Sequence, residues 1–268
     1  MSPERGFPAT ELTDCSAADL GGRARARSFW GAVVCNSLLC IVKQTGERSL
    51  ALYLHDDLQL STSAAASLAS VWPIGFVVSV VCFGALFDKA RCLRPAQSAS
   101  LCILADVSVV LVGNSAVGKV RLVFGMTGAS TAAMLLIGAW RREEGAEAST
   151  GEIVGKTALL FVTAVGIGLP YYVPIGVYSV RFGKERAGVV SAYIDALSAV
   201  ATAAFLWALS GTVDAGWSRA WLQLGGIGLV MTCSTTQFVR YLYGAKQGSK
   251  YQDQELRPLR AVSSDDER

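Results

Sequence analysis

The sequence predicts an all-α fold, a polytopic membrane bundle of six or seven transmembrane helices. Its 268 residues are 52% hydrophobic and 17% charged, with a mean hydropathy of +0.41, whereas soluble domains carry about 25% charged residues. The run FVTAVGIGLPYYVPIGVYSVRFGKER at residues 161–186 is apolar, contains Pro170 and Pro174, and ends in a basic cluster. Membrane helices tolerate such prolines because packed neighbours satisfy the freed backbone groups.

The apolar stretches place the spans, since a bilayer crossing needs about 20 mostly apolar residues. We predict a polar N-terminal segment or linker at residues 1–28, a transmembrane bundle at 29–243 and a polar cytoplasmic tail at 244–268. The candidate spans are residues 29–54, 63–87, 98–113, 122–140, 157–180, 187–212 and 217–243. The stretch 98–113 is the weakest, because it is the shortest and carries Asp106 near its middle.

The distribution of basic residues favours six crossings with both termini in the cytoplasm. If residues 98–113 do not cross by themselves, 15 basic residues from Arg23 to Arg257 lie inside, and only Arg141, Arg142, Lys156 and Arg219 lie outside. Cytoplasmic loops carry such an excess of Lys and Arg. We therefore expect residues 98–113 to be re-entrant, interfacial or fused to the third span; seven crossings are the alternative.

The composition argues against several other classes of protein. A net charge of +3 spread between loops does not indicate nucleic-acid binding, and one His with no Cys-x-x-Cys pair predicts no zinc site. The segment GNSAVGKV at residues 113–120 fits the start of a phosphate-binding loop, but Val120 stands where a Ser or Thr would hold magnesium. No catalytic constellation is present either. We predict neither a cofactor nor an enzymatic activity.

Charged residues in the first span are the first candidates for a solute-binding site. Lys43 and Glu47 are four residues apart and can pair on one helix face, and Arg48 follows them. Charges in hydrocarbon are costly, so they normally face a cavity or a partner. One interpretation is that Lys43 or Arg48 faces a central cavity and binds an anionic solute. The other is that the span ends near Val42, with these residues in the headgroup layer.

Asp195 is the candidate coupling residue. It lies in the span 187–212 on a face of small residues spaced by four, namely Ala187, Ser191, Ala199 and Ala203. Small residues allow close packing of membrane helices. We expect either a proton-coupling or cation-binding carboxylate or, alternatively, a hydrogen bond between helices.

An aromatic pair next to two prolines is a further candidate for solute binding. Tyr171 and Tyr172 lie between Pro170 and Pro174, and proline kinks helices. A kink near the midplane is typical of a moving or solute-lining helix, and a static kink is the alternative.

The order of these features resembles the C-terminal six-helix half of the major facilitator superfamily. The segment GALFDKAR after the second span is similar to the loop motif of that family, with Gly84, Asp88, Lys89 and Arg91 at the matching positions. LPYYVP, RFGKERAGVVSAYIDALSAVATA and the later GW follow in the family's order, so that the resemblance covers residues 29–243. It implies that the loop residues stabilise one state of an alternating-access cycle; solvated loop charges are the alternative.

Among subfamilies, the first span is similar to organophosphate:phosphate antiporters, because Lys43 and Tyr53 match their pattern. The resemblance implies a secondary transporter, or half of one, for a small polar metabolite, with anionic and phosphorylated metabolites among the candidates. It also implies a second six-helix half as partner, together with the solute and the lipid bilayer, or else a truncated product. The alternative function is a non-transporting truncated membrane module that assembles with or regulates a full transporter.

Overall fold

The computed structural model describes residues 20–84, 116–140, 148–213 and 216–243. Every regular element in these ranges is helical, which confirms the predicted all-α fold. Asp88, Lys89, Arg91 and the stretch 98–113 lie outside the described residues.

The described ranges contain seven α-helices, and two of them continue into tighter or wider helical turns. The helices are α1 (Leu20–Asp56), α2 (Thr62–Ala69), α3 (Val71–Val78), α4 (Ala116–Ala139), α5 (Thr150–Tyr178), α6 (Ala187–Val213) and α7 (Trp217–Tyr243). A π-helical turn at Ser79–Phe83 extends α3, and α5 continues through a π-helical turn at Ser179–Gly183 and a 3₁₀ turn at Lys184–Arg186.

Several helix boundaries agree with the spans predicted from the sequence, and others differ for local reasons. The bounds of α6 and α7 match within one residue. The predicted span 63–87 is divided at Ser70, between α2 and α3. Pro73 follows in the first turn of α3. Backbone N–H groups in a first turn have no partner within the helix, so the missing N–H of proline costs no helical hydrogen bond there. α5 starts earlier than predicted, because the Ser149 side chain accepts a hydrogen bond from the backbone N–H of Glu152 at 3.2 Å and caps the helix.

Contacts at the helix ends show that successive long helices run in opposite directions through the bundle. Near the start of α1, the Ser28 and Tyr178 hydroxyls lie 3.4 Å apart, and the ring centroids of Tyr178 and of Phe238 in α7 lie 5.7 Å apart. At the other end of α1, the Tyr53 ring lies 5.3 Å from the ring of Trp221, near the start of α7. We name these two ends of the bundle the Ser28 end and the Asp57 end.

The described residues on either side of the gap between α3 and α4 lie at the same end of the bundle. Phe83 packs against the same buried residues as Val120 and Leu122, close to the beginning of α4. The Lys119 ammonium of α4 lies 4.7 Å from the ring centroid of Tyr243, where α7 ends. The chain therefore exits at Phe83 and returns at Ala116 on the Ser28 side.

Three helical stretches are long and apolar enough to cross a membrane: Thr62–Phe83, Val117–Ala139 and Thr150–Val213. The last has 64 residues, about 96 Å of helix at 1.5 Å per residue, against a hydrocarbon core of about 30 Å. It is folded back on itself near Lys184, whose backbone has a φ of 47°, and so comprises α5 and α6. α1 is more polar and contacts α5, α6 and α7.

Glycines allow the helices to approach closely. A Cβ atom on Gly46 of α1 would lie 2.0 Å from the ring of Trp72, and one on Gly166 of α5 would lie 2.5 Å from the carbonyl oxygen of Met126. A Cβ on Gly168 would lie 2.6 Å from the Cβ of Ser79. Such contacts between small residues and neighbouring backbones are typical of tightly packed membrane helices.

Candidate functional site

Lys43 lies in the middle of a continuous helix. α1 does not end near Val42 but runs on to Asp56. At 1.5 Å per residue, Lys43 is about 22.5 Å along the helix axis from Ser28 and about 21 Å from Asp57. Lys43 therefore lies away from both ends of the bundle.

The ammonium group of Lys43 has one carboxylate and two aromatic neighbours. Its Nζ lies 2.9 Å from Oε1 of Glu47, with 14% of the Lys43 side chain and 40% of the Glu47 side chain exposed. The same nitrogen lies 5.2 Å from the ring centroid of Tyr171 and 5.9 Å from that of Phe76. Cations are attracted to aromatic faces at these distances. The ion pair predicted from the four-residue spacing is thus present and is joined to α3 and α5.

The predicted aromatic pair divides between the interior and the surface. α5 continues as a helix through both Pro170 and Pro174. Tyr171 is half-buried and faces Lys43, whereas Tyr172 is exposed and packs edge-on against Tyr171 at 4.8 Å. Tyr171 therefore belongs to the candidate site, and Tyr172 lies at its border.

Asp195 connects α6 to α1. Its Oδ1 accepts a hydrogen bond from the Nδ2 of Asn36 at 3.1 Å, and the same amide donates to Oγ of Ser198 at 3.0 Å. Asn36 is 1% exposed. The predicted hydrogen bond between helices is therefore present, and the outward side of the Asp195 carboxylate is exposed.

The small-residue face predicted around Asp195 is not the face that packs within the described bundle. Asp195, Ala199 and Ala203 are exposed. α6 instead packs through a different row, which consists of Ile194, Ser198, Thr202 and Leu209. On α1 the buried side chains of Asn36 and Ser37 both bond to Ser198 in this row, and only Asp195 of the small-residue face receives a hydrogen bond from α1.

We define the central polar cluster as Asn36, Lys43, Glu47, Tyr171 and Asp195. These residues come from α1, α5 and α6, and Asn36 and Lys43 are seven residues apart, about two helical turns, and so share a face of α1. Arg48 is exposed on α1 and forms no ion pair with a described residue. Gly84 is partly buried at the Ser28 end, away from this cluster.

A second charged group, which the sequence analysis missed, lies at the Asp57 end. The Nζ of Lys156 is 2.9 Å from Oδ2 of Asp57 and 2.9 Å from Oε1 of Glu152, and its side chain is 2% exposed. The ion triad connects the end of α1 to the beginning of α5. Two features of the sequence predict this earlier start of α5. One is the helix-capping pattern Ser149-x-x-Glu152, and the other is the four-residue spacing of Glu152 and Lys156.

The central polar cluster offers partners for a negatively charged group and for a positively charged group of a small solute. Lys43 offers a cation, Glu47 and Asp195 offer carboxylates, Asn36 offers an amide, and Tyr171 offers an aromatic face. Within the described ranges, no group of three or more His, Cys, Asp or Glu residues could hold a metal ion.

Comparison with protein-family models, curated proteins and solved structures gives no match to the chain.

Proposed function

We propose that this chain is a multi-pass membrane protein and forms one six-helix half of a secondary transporter of the major facilitator type. It moves a small polar metabolite by alternating access. The observation that carries the proposal is the central polar cluster, which lies midway along the helices of a largely apolar chain. A charge in hydrocarbon costs about 2.5–3.5 kcal/mol on insertion scales, so charged residues within membrane-spanning helices mark solute or ion pathways.

Six crossings are supported by the alternation of the described helices. In this proposal the six passes are α1, the α2–α3 segment, α4, α5, α6 and α7, whose ends lie alternately at the Ser28 end and the Asp57 end. Because the chain exits and returns at the Ser28 end, the segment between α3 and α4 adds either no crossing or an even number. Basic residues at that end, including Lys119 and Arg181, favour a cytoplasmic location for it.

The charges of the cluster suggest how a solute exchanges with the protein's own contacts. An anionic group of the solute replaces Glu47 as the partner of Lys43. Asp195 then binds a proton or a cationic group, while its bond from Asn36 keeps it in place. Glu47 and Asp195 have exposed faces, which leaves room for a second six-helix half to form the opposite wall.

A reconstituted transport assay tests the proposal. The chain, purified with any membrane protein that remains bound to it, is placed in liposomes, and counterflow of labelled phosphate esters, carboxylates and amino acids is measured. We expect exchange of at least one solute, which the double variant Lys43→Ala/Asp195→Asn loses.

The control for this assay is Arg240→Gln, which removes an exposed charge in the last turn of α7 and should transport like the parent. Uptake equal to that of protein-free liposomes, with another membrane protein still bound, would contradict the proposal. That result would favour the non-transporting module that assembles with or regulates a full transporter.

A further inference from the structure

A groove on the outside of the bundle runs between α3, α4 and α5. Its cavity volume is about 430 Å³, and its walls include Phe83, Gly125, Ala129, Phe161 and Val165. The described residues that line it are apolar except for Arg121, which lies at the end of the groove nearest the Ser28 end. The size lies in the range of pockets that bind small molecules.

The shape of the groove depends on small residues spaced by four along α4. Arg121, Gly125 and Ala129 form one exposed stripe of this helix. A Cβ atom on Gly125 would meet no other atom within 4 Å, so the space above it is open. From Arg121 to Ala129 the helix rises about 12 Å, close to the depth of one leaflet of a core about 30 Å thick.

The groove lies on the opposite side of α5 from the central polar cluster. Val162 lines the groove, and Tyr171 belongs to the cluster. These residues are nine positions apart, about two and a half helical turns, and so project from opposite faces. The groove therefore opens away from the proposed solute pathway and toward the surroundings of the bundle.

We propose that this groove binds an anionic phospholipid from the leaflet at the Ser28 end. One acyl chain lies along Gly125 and Ala129, and the headgroup phosphate pairs with Arg121. No described carboxylate forms an ion pair with Arg121, so its guanidinium has an unmet preference for an anion. Arginine suits phosphate because its planar donors match the phosphate oxygens, and basic pockets between membrane helices bind anionic headgroups.

The occupant is a lipid rather than a polar solute, because the groove matches both parts of a phospholipid. Its apolar walls suit an acyl chain, and its one cation, at headgroup depth, suits the phosphate. The long Arg121 side chain can extend along the apolar wall and keep its charge in the interface. Trp140 follows α4 at the opposite end of the bundle, where aromatic residues border membranes. The site requires only that the chain lies in a bilayer and does not require transport.

Native mass spectrometry of the purified full chain tests the site with two probes of identical acyl chains, phosphatidylglycerol and phosphatidylcholine. We expect the parent to retain phosphatidylglycerol about fivefold more than phosphatidylcholine. Arg121→Gln should remove this preference, while Gly125→Leu should lower retention of both lipids because its side chain fills the slot.

Matched controls exist for both variants. Arg240→Gln removes another exposed arginine from the same end, and Gly128→Leu adds the same side chain on the same helix outside the groove, where open space also surrounds the Cβ position. Both should behave as the parent.

Equal retention of the two lipids by the parent, or equal retention by Gly125→Leu and Gly128→Leu, would overturn the proposal. Displacement of phosphatidylglycerol by inorganic phosphate would also overturn it, since it would indicate a site for the free anion. If Gly125→Leu does not fold, Arg121→Gln decides alone.

Discussion

The Nζ of Lys43 lies 2.9 Å from the carboxylate of Glu47, one helical turn away, and 5.2 Å from the ring centroid of Tyr171 on another helix. The pair lies in the middle of α1, a helix that contacts α5, α6 and α7. A solute with an anionic group must compete with Glu47 for this ammonium group. The pair is therefore the natural place to test solute binding.

Lys43→Ala should abolish transport in the assembled carrier without loss of membrane expression, because it removes the cation that an anionic solute needs. Lys43→Arg should retain part of the activity, since the charge is kept. Counterflow rates and the amount of protein in the membrane are the measurements. Normal transport by Lys43→Ala would show that this residue does not bind solute.

Asp195→Asn should separate exchange from pH-driven accumulation. The asparagine oxygen can still accept the hydrogen bond that Asn36 donates at 3.1 Å, so the contact with α1 is kept while the titratable group is lost. We expect solute exchange close to that of the parent, together with loss of accumulation under a proton gradient. A variant that accumulates solute as well as the parent does would identify Asp195 as a packing residue.

The sequence predicts the ends of α6 and α7 well because apolar residues there are bounded by charged or turn-forming ones. It fails at the beginning of α5, where Glu152 and Lys156 suggest a loop. Their charges are compensated by each other and by Asp57, and the third member of this triad is distant in the chain.

The face of a helix that packs also depends on its neighbours. The four-residue spacing correctly indicates that Ala199 and Ala203 share a face with Asp195, but the buried contact with α1 is made through Ser198, with Asp195 at its edge. The choice follows from Asn36 and Ser37, whose buried side chains both reach Ser198. A single helix pattern contains no information about which polar residues the adjacent helix presents.

Gly46→Ala should destabilise the contact between α1 and α3. The added Cβ would lie 2.0 Å from the ring of Trp72, whose side chain is 1% exposed and cannot move without disturbing the core. Overpacking costs about 1–3 kcal/mol, so we expect a lower Tm in detergent. Gly176→Ala is the control, since its Cβ meets no atom within 4 Å, and its Tm should equal or exceed that of the parent. Equal Tm values for both variants would mean that Gly46 and Trp72 are not in contact.

Single cysteines in a cysteine-free background should report the two ends of the bundle. His55→Cys, on an exposed residue at the end of α1, should react with an impermeant thiol reagent added outside. Lys250→Cys should react only after permeabilisation, because six crossings return the tail to the cytoplasm. External labelling at position 250 combined with a cytoplasmic N-terminus would contradict six crossings.

Lys156→Met should destabilise the Asp57 end of the bundle. The substitution leaves Asp57 and Glu152 close together without the cation that lies 2.9 Å from each. Removing one partner of a buried ion pair costs about 3–5 kcal/mol, and we expect a value toward the lower limit because a quarter of the Asp57 side chain is exposed. Thermal unfolding in detergent measures the loss, and adding Glu152→Gln to Lys156→Met should recover part of it by removing one of the repelling carboxylates. Arg219→Met, which removes an exposed cation from the same end, should leave the Tm unchanged. If Lys156→Met and Arg219→Met had the same small effect, the triad would not hold α1 and α5 together.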